Sequence, residues 1–223
     1  MLRWTTYGLL GGLSKALAGV LLLLATGAAA DRVNILALGD SLTQGYGLIE
    51  QEGFVPQLRD WLAERGYDVR IVNAGVSGDT TAGGLARVEW SLTPDIQAMI
   101  VALGGNDLLR GIDPAVSRDN IEGILKVAEE RGLEVLLIGM QAPGNYGPDY
   151  KAAFDALYPE LARTYDALYL ENFFAGLMQN GKGPSDLRAF MQPDGIHPNA
   201  TGVDRIVNVI GPKVEALIER VGN

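Results

Sequence analysis

The chain has no cysteine and a single histidine among its 223 residues. The first absence excludes disulfide staples, thiol chemistry and thiolate metal sites; the second excludes a histidine-rich metal centre. Basic residues are scarce as well, with 18 Lys and Arg against 27 Asp and Glu, a formal net charge of −9. Without residues 1–30 the balance is 16 basic to 27 acidic residues, or −11. Affinity for phosphate depends on Lys and Arg, so the chain is a poor candidate for binding nucleic acid or anionic membrane surfaces. The full chain is 48% apolar, enough for one sizeable core and one domain.

The one long apolar run lies at the start. Residues 1–30 carry Arg3 and Lys15, no acid, and then "ALAGVLLLLATGAAA". A basic segment, an apolar segment and the small residues Ala28, Ala29 and Ala30 predict a secretory signal peptide cleaved after Ala30. A retained anchor is the alternative, but the glycine-interrupted stretch from Ala16 to Ala30 is shorter than the roughly 20 residues a span needs. The expected organisation is a signal peptide over 1–30 and one domain over 31–223, periplasmic or secreted.

Two segments share a pattern, "FVPQLRDWLAERGYDVRIVNAG" and "NIEGILKVAEERGLEVLLIGM". Phe54, Leu58, Trp61 and Leu62 recur at helical spacing, as do Ile121, Ile124, Leu125 and Ala128. Each helix ends in Arg-Gly and leads into a short apolar strand. Strands are expected at Val33 to Leu38, Val69 to Val72, Met99 to Leu103, Val135 to Ile138 and near Ala167 to Leu170. Their continuous apolar character fits parallel strands covered on both faces, hence a three-layer α/β/α sandwich. A last helix is expected over roughly Gly202 to Val221, kinked or broken near Gly211-Pro212.

In such a sheet the functional crevice lies beyond the carboxyl ends of the strands. The loops there read "GDSLTQG", "NAGVSGDT", "GGNDLLRG" and "GMQAPGNYG". Taken singly, Asp40, Asp79, Thr80 and Asp107 suit helix caps or loop braces. The convergence of loops is what points to chemistry. Far along the chain, "MQPDGIHPNATG" holds His197, the one base able to activate a serine at neutral pH, with Asp194 three residues before it. An Asp and a His across such a turn can share a hydrogen bond that fixes the imidazole tautomer. Ser41 is then the candidate nucleophile. The backbone N–H groups of Ser41 and Gly78 and the amide of Asn106 are candidate donors to an oxyanion. The G-x-S-x-G elbow is absent around Ser41, so another serine-hydrolase architecture is required.

"GDSL" at Ser41, "SGDT" at Gly78, "GGND" at Asn106 and "DGIH" at Asp194 and His197 resemble the motifs of the SGNH (GDSL) hydrolases. The similarity covers about residues 32 to 220 and extends to "GLARVE", "GGNDLLRGIDP" and "PGNYGPDYKAAFDALYPELA". The resemblance implies a flavodoxin-like sheet of order 2-1-3-4-5, no cofactor and no metal. It assigns Ser41 as nucleophile, His197 as base, Asp194 as its orienter, and Ser41, Gly78 and Asn106 as the oxyanion hole. It implies a mobile loop at Leu108 to Pro114 lining the acyl site, and a facing loop at Ala142 to Tyr146. Candidate substrate contacts are Leu108, Leu109, Ile112, Pro143 and Tyr146.

The activity so implied is hydrolysis of carboxylic esters and thioesters, of the arylesterase, lysophospholipase and acyl thioesterase kinds. The expected partner is a small-molecule or lipid ester, with at most transient membrane-lipid contact and a monomer as the default state. Two other readings stay open: a carbohydrate O-deacetylase on the same scaffold, which would need a more polar and aromatic groove, and a non-catalytic acyl-chain carrier.

Overall fold

A computed structural model describes residues 1, 32–178 and 187–222. Apart from Met1, the expected signal peptide lies outside these residues. Met1–Asp31 and Arg32–Asn223 are separate units, and every element below belongs to the second.

Five parallel strands form one sheet: β1 (Val33–Gly39), β2 (Val69–Gly75), β3 (Ala98–Ala102), β4 (Glu134–Ile138) and β5 (Leu168–Leu170), in the order β2-β1-β3-β4-β5. The helices are α1 (Ser41–Gln44), α2 (Phe54–Ala63), α3 (Thr81–Ser91), α4 (Gly105–Arg110), α5 (Pro114–Glu130), α6 (Pro148–Thr164) and α7 (Ala200–Val221). Helices α2 and α7 pack together on one face, while α3, α5 and α6 cover the other. This is the expected sandwich. Gly39 pairs with both Gly75 and Ala102, so three neighbouring strands end level and release their loops at one edge.

The expectation of strands covered on both faces holds for β1, β3 and β4 but not for the edges. In β2 the exposed Arg70 lies between buried Val69 and Ile71, and β5 is only half-buried. An edge strand has a neighbour on one side only, so Arg70 reaches solvent and pairs with Asp95 at 2.8 Å.

The apolar stripes place the helices. Phe54, Leu58 and Leu62 of α2 are buried, as are Ile121, Ile124, Leu125 and Ala128 of α5. Truncating one such side chain to Ala would cost about 2–5 kcal/mol. Asp113 caps α5 by accepting from the Ala115 N–H at 2.9 Å, and Asn199 caps α7 by accepting from Gly202 at 2.9 Å.

The break expected near Pro212 does not occur, since α7 runs continuously over 22 residues. Pro212 and Asn208, the residue four earlier whose carbonyl loses a helical donor, both lie on exposed positions of the helix. Gly211 is buried, and a Cβ there would come within 2.6 Å of the Trp61 ring of α2, whose Nε1 also donates to Asn208 Oδ1 at 3.0 Å.

Candidate active site

Strand β1 ends at Gly39 and the chain turns at once into α1, which puts Ser41 at the carboxyl edge of the sheet. Asp40, only 2% exposed, caps this short helix: its Oδ1 accepts from the Leu42 N–H at 3.0 Å. Its Oδ2 accepts from Asn106 Nδ2 at 3.2 Å. Burial raises the Asp40 carboxyl from 3.8 to about 6, against the opposing effects of these two hydrogen bonds and the nearby His197.

His197 arrives from the far end of the chain on a small hairpin. Met191 bridges Pro198, and the Gln192 N–H donates to the His197 carbonyl at 2.7 Å. Within the turn, one Asp194 oxygen accepts from the N–H groups of Ile196 (2.9 Å) and His197 (3.0 Å). The other lies 2.7 Å from His197 Nδ1. The imidazole bond first, then the two N–H groups, lower the Asp194 carboxyl from 3.8 to about 2. A carboxylate only accepts, so Nδ1 carries the proton and Nε2 is left bare. That bare nitrogen stands 2.9 Å from Ser41 Oγ. An imidazole in this position can take the serine proton.

Two further loops converge on the serine. Gly78 sits in the turn after β2 with φ of 83°, a conformation that a side chain would strain. Its carbonyl accepts from Arg110 Nη2 at 2.8 Å, which ties this turn to α4. The Ser41 N–H opens α1 and has no intrahelical acceptor. Neither it nor the Gly78 N–H donates to a protein acceptor among the described residues. Asn106 follows Gly104 and Gly105 after β3. Gly104, with φ of 115°, leaves room for the Tyr158 hydroxyl, which donates to the Leu103 carbonyl at 2.9 Å. Burial pushes the Tyr158 phenol well above its ordinary range, so it remains a donor.

The neighbouring acids are braces. Asp107, fully buried, accepts from the Thr81 N–H (2.9 Å), Thr81 Oγ1 (2.6 Å) and Ser117 Oγ (3.0 Å), joining α3, α4 and α5. Asp79 pairs with Arg87 at 2.6 Å, and Thr80 caps α3. Among the described residues no three His, Asp or Glu side chains gather as a metal site would require.

Ser41, Gly78, Asn106 and His197 open into a cavity of about 790 Å³, within the usual range for small-molecule sites. Leu108, Leu109, Pro143 and Tyr146 line it, as expected. Ile112 does not line it. Its N–H and carbonyl are engaged by the Asp107 carbonyl and the Tyr150 hydroxyl, at 3.0 and 2.9 Å, just past the α4 terminus. The expected loop at Leu108 to Pro114 is likewise half helical: Leu108 to Arg110 complete α4, and Pro114 begins α5.

The sequence reading missed Met140, Asn172, Phe174, Met178 and Ile196, all in the cavity wall. Asn172 and Phe174 follow β5 and obey the strand-end rule that exposed the other loops. Tyr46 and Gln192 were missed too. The Tyr46 ring packs on the His197 ring at 4.7 Å between centroids. No local pattern marks these two, because their contacts link segments about 150 residues apart.

Residues 37–205 match the family described as GDSL-like Lipase/Acylhydrolase family. The chain is 39% identical to Esterase TesA of Pseudomonas aeruginosa over 199 residues, 89% of this chain and 94% of that protein. It is 34% identical to Thioesterase 1/protease 1/lysophospholipase L1 of Escherichia coli K12, covering 88% and 90% of the two chains. The solved structure of AlinE4, an SGNH-hydrolase family esterase, superposes with a TM-score of 0.67 at 42% identity, covering 83% of this chain and 96% of that one. The chain belongs to the GDSL-like lipase/acylhydrolase family and is an ester-cleaving hydrolase.

Proposed function

We propose that the protein is a serine esterase working through Ser41, His197 and Asp194. The observation that carries this reading is the hydrogen-bond chain Asp194, His197, Ser41, at 2.7 and 2.9 Å, whose last two members line the cavity. Ser41 Oγ attacks the ester or thioester carbonyl while its proton passes to His197 Nε2. The oxyanion so formed accepts from the N–H groups of Ser41 and Gly78 and the free Asn106 N–H. Collapse expels the alcohol or thiol, which takes the proton from His197. His197 then draws a proton from water, which attacks the acyl-enzyme; the bond to Ser41 Oγ breaks, the serine takes the proton back from His197, and the acid is released.

The wall of the cavity favours an apolar acyl or aryl group. Leu42, Leu108, Met140, Ala142, Pro143, Phe174 and Ile196 line it, whereas a carbohydrate deacetylase would need a more polar groove. The names of the relatives, covering esterase, thioesterase and lysophospholipase, point the same way. The residue order of 1–30 supports export, with removal after Ala30. Outside the cytoplasm, where coenzyme A resides, a small lipid ester or lysophospholipid is the fitting substrate. The acidic balance of the chain supports a small-molecule or lipid ester as partner in preference to nucleic acid or a lasting hold on anionic lipid surfaces.

The test is hydrolysis of p-nitrophenyl esters of increasing acyl length by the purified protein and by Ser41→Ala. Turnover lost in the variant, with an optimum beyond acetate, is expected. Equal turnover in both proteins would overturn the serine mechanism, and an acetate optimum would favour the deacetylase.

A further inference from the structure

Asp40 has no step in the mechanism above, although it is buried beside the nucleophile and lines the same cavity. Capping of α1 uses one oxygen, the Oδ1 that accepts from Leu42. A serine hydroxyl or an asparagine carbonyl caps equally well and carries no charge into the interior. The second oxygen is therefore surplus to capping. It holds Asn106 Nδ2 at 3.2 Å.

The two ends of an asparagine amide have nearly the same shape and opposite polarity. Rotated by half a turn, Asn106 would present its carbonyl oxygen to the reacting carbonyl and repel the developing oxyanion. Only a neighbour that accepts and never donates selects the productive orientation, and an ionised carboxylate is such a neighbour. One amide N–H is committed to Asp40, leaving the second for the substrate.

We infer that Asp40 is a positioning residue whose ionised carboxylate fixes the Asn106 amide with an N–H toward the oxyanion before the reaction starts. This rests on the reading of Ser41 as nucleophile and Asn106 as oxyanion donor. A protonated Asp40 would donate in place of accepting and would select the reversed amide. The charged and titratable groups that act on this carboxyl are His197 from the hairpin and Tyr158 from α6; nearby, Arg87 of α3 donates to the Gly39 carbonyl at 2.9 Å and is paired to Asp79, and Asp107 follows Asn106 on α4.

The experiment is a double-mutant cycle, with kcat and KM measured on one neutral p-nitrophenyl ester. Asp40→Asn presents an NH₂ to Asn106 and should lower kcat about 100-fold with KM little changed, as loss of one oxyanion donor does. Asn106→Ala should cost as much, and the double variant no more than Asn106→Ala alone. Penalties that multiply would show Asp40 acting independently of Asn106 and would overturn the inference. Asp40→Ser keeps a cap and removes the charge, so it guards against a folding artefact. It should be as slow as Asp40→Asn, and wild-type kcat in a folded Asp40→Ser would reduce Asp40 to a cap. Turnover that survives Ser41→Ala would instead overturn the serine reading, and this inference with it.

Discussion

Gln192 Nε2 donates to the Tyr46 carbonyl at 2.7 Å and to the Pro198 carbonyl at 3.0 Å. One side chain thereby joins the turn that follows Ser41 to the hairpin that carries His197. The neighbouring Gly47 leaves the space it needs, since a Cβ there would collide with the Gln192 amide. Gln192→Ala should lower kcat/KM about tenfold, because about 1–1.5 kcal/mol of hydrogen bonding that sets the Ser41 to His197 distance is lost. Steady-state kinetics beside a melting curve would check this. Unchanged kcat/KM would show that the hairpin holds its place without the link.

Asp194 should reveal itself twice. Asp194→Asn keeps the shape of the turn but spoils the tautomer of His197, and a fall in kcat on the order of 10³–10⁴ is expected. Stability should also respond to acid. The folded carboxyl is held at about 2, below its ordinary 3.8, so its contribution is complete above about pH 4 and disappears as pH falls toward 2. The side chain is 37% exposed and screened by solvent, which limits the gain to about 1 kcal/mol or less. Melting curves of the wild type and Asp194→Ala from pH 5 to 2 should converge at the acid end. A constant gap between them would contradict this linkage.

Asp40 should produce the opposite slope. Its folded carboxyl sits near 6, above 3.8, so the folded chain holds the proton more tightly and stability falls as pH rises between about 4 and 6. The ionised group then costs on the order of 2–3 kcal/mol. Asp40→Asn should flatten that part of the stability profile, read as denaturant midpoints across the range. A slope that survives the substitution would assign it to another group.

Much of this was legible in the chain. The strand runs, the two Arg-Gly helix ends and the convergence of Ser41, Gly78, Asn106, Asp194 and His197 all lie in contiguous words, where local pattern suffices. The errors needed the fold to be seen. Pro212 looks like a breaker until it is seen on an exposed position of a continuous helix, and Ile112 looks like a pocket residue until the cavity wall is seen to pass it by. Gln192 and Tyr46 belong to common residue types, and only the fold brings them together.

Thr43 offers a stability test away from the chemistry. Its side chain is 1% exposed, and its hydroxyl has no hydrogen-bond partner among the described residues. Thr43→Val keeps the branched shape and removes the unsatisfied group, so stability should rise by about 1 kcal/mol. A lowered melting temperature would indicate a partner for that hydroxyl.

The cavity wall after β4 is gripped on both sides of one residue, Ala142. The Ala142 N–H donates to Asp155 Oδ1 at 2.8 Å, and the Ala142 carbonyl accepts from Lys151 Nζ at 2.7 Å. Lys151 and Asp155 also pair with each other at 2.7 Å. Asp155→Ala should loosen the wall and blur acyl-length preference several-fold, leaving acetate hydrolysis nearly intact. A profile superimposable on the wild type would remove the clamp from the specificity argument.

Ser41 and His197 are 156 positions apart, and the base is delivered within the last tenth or so of the chain. The segment that follows the hairpin, α7, buries Val203, Ile206, Val207, Ile210, Val214 and Leu217 against α2 and the sheet. A product truncated before the hairpin therefore loses one covering layer of the sheet together with His197, so the candidate base and the last part of the core arrive together.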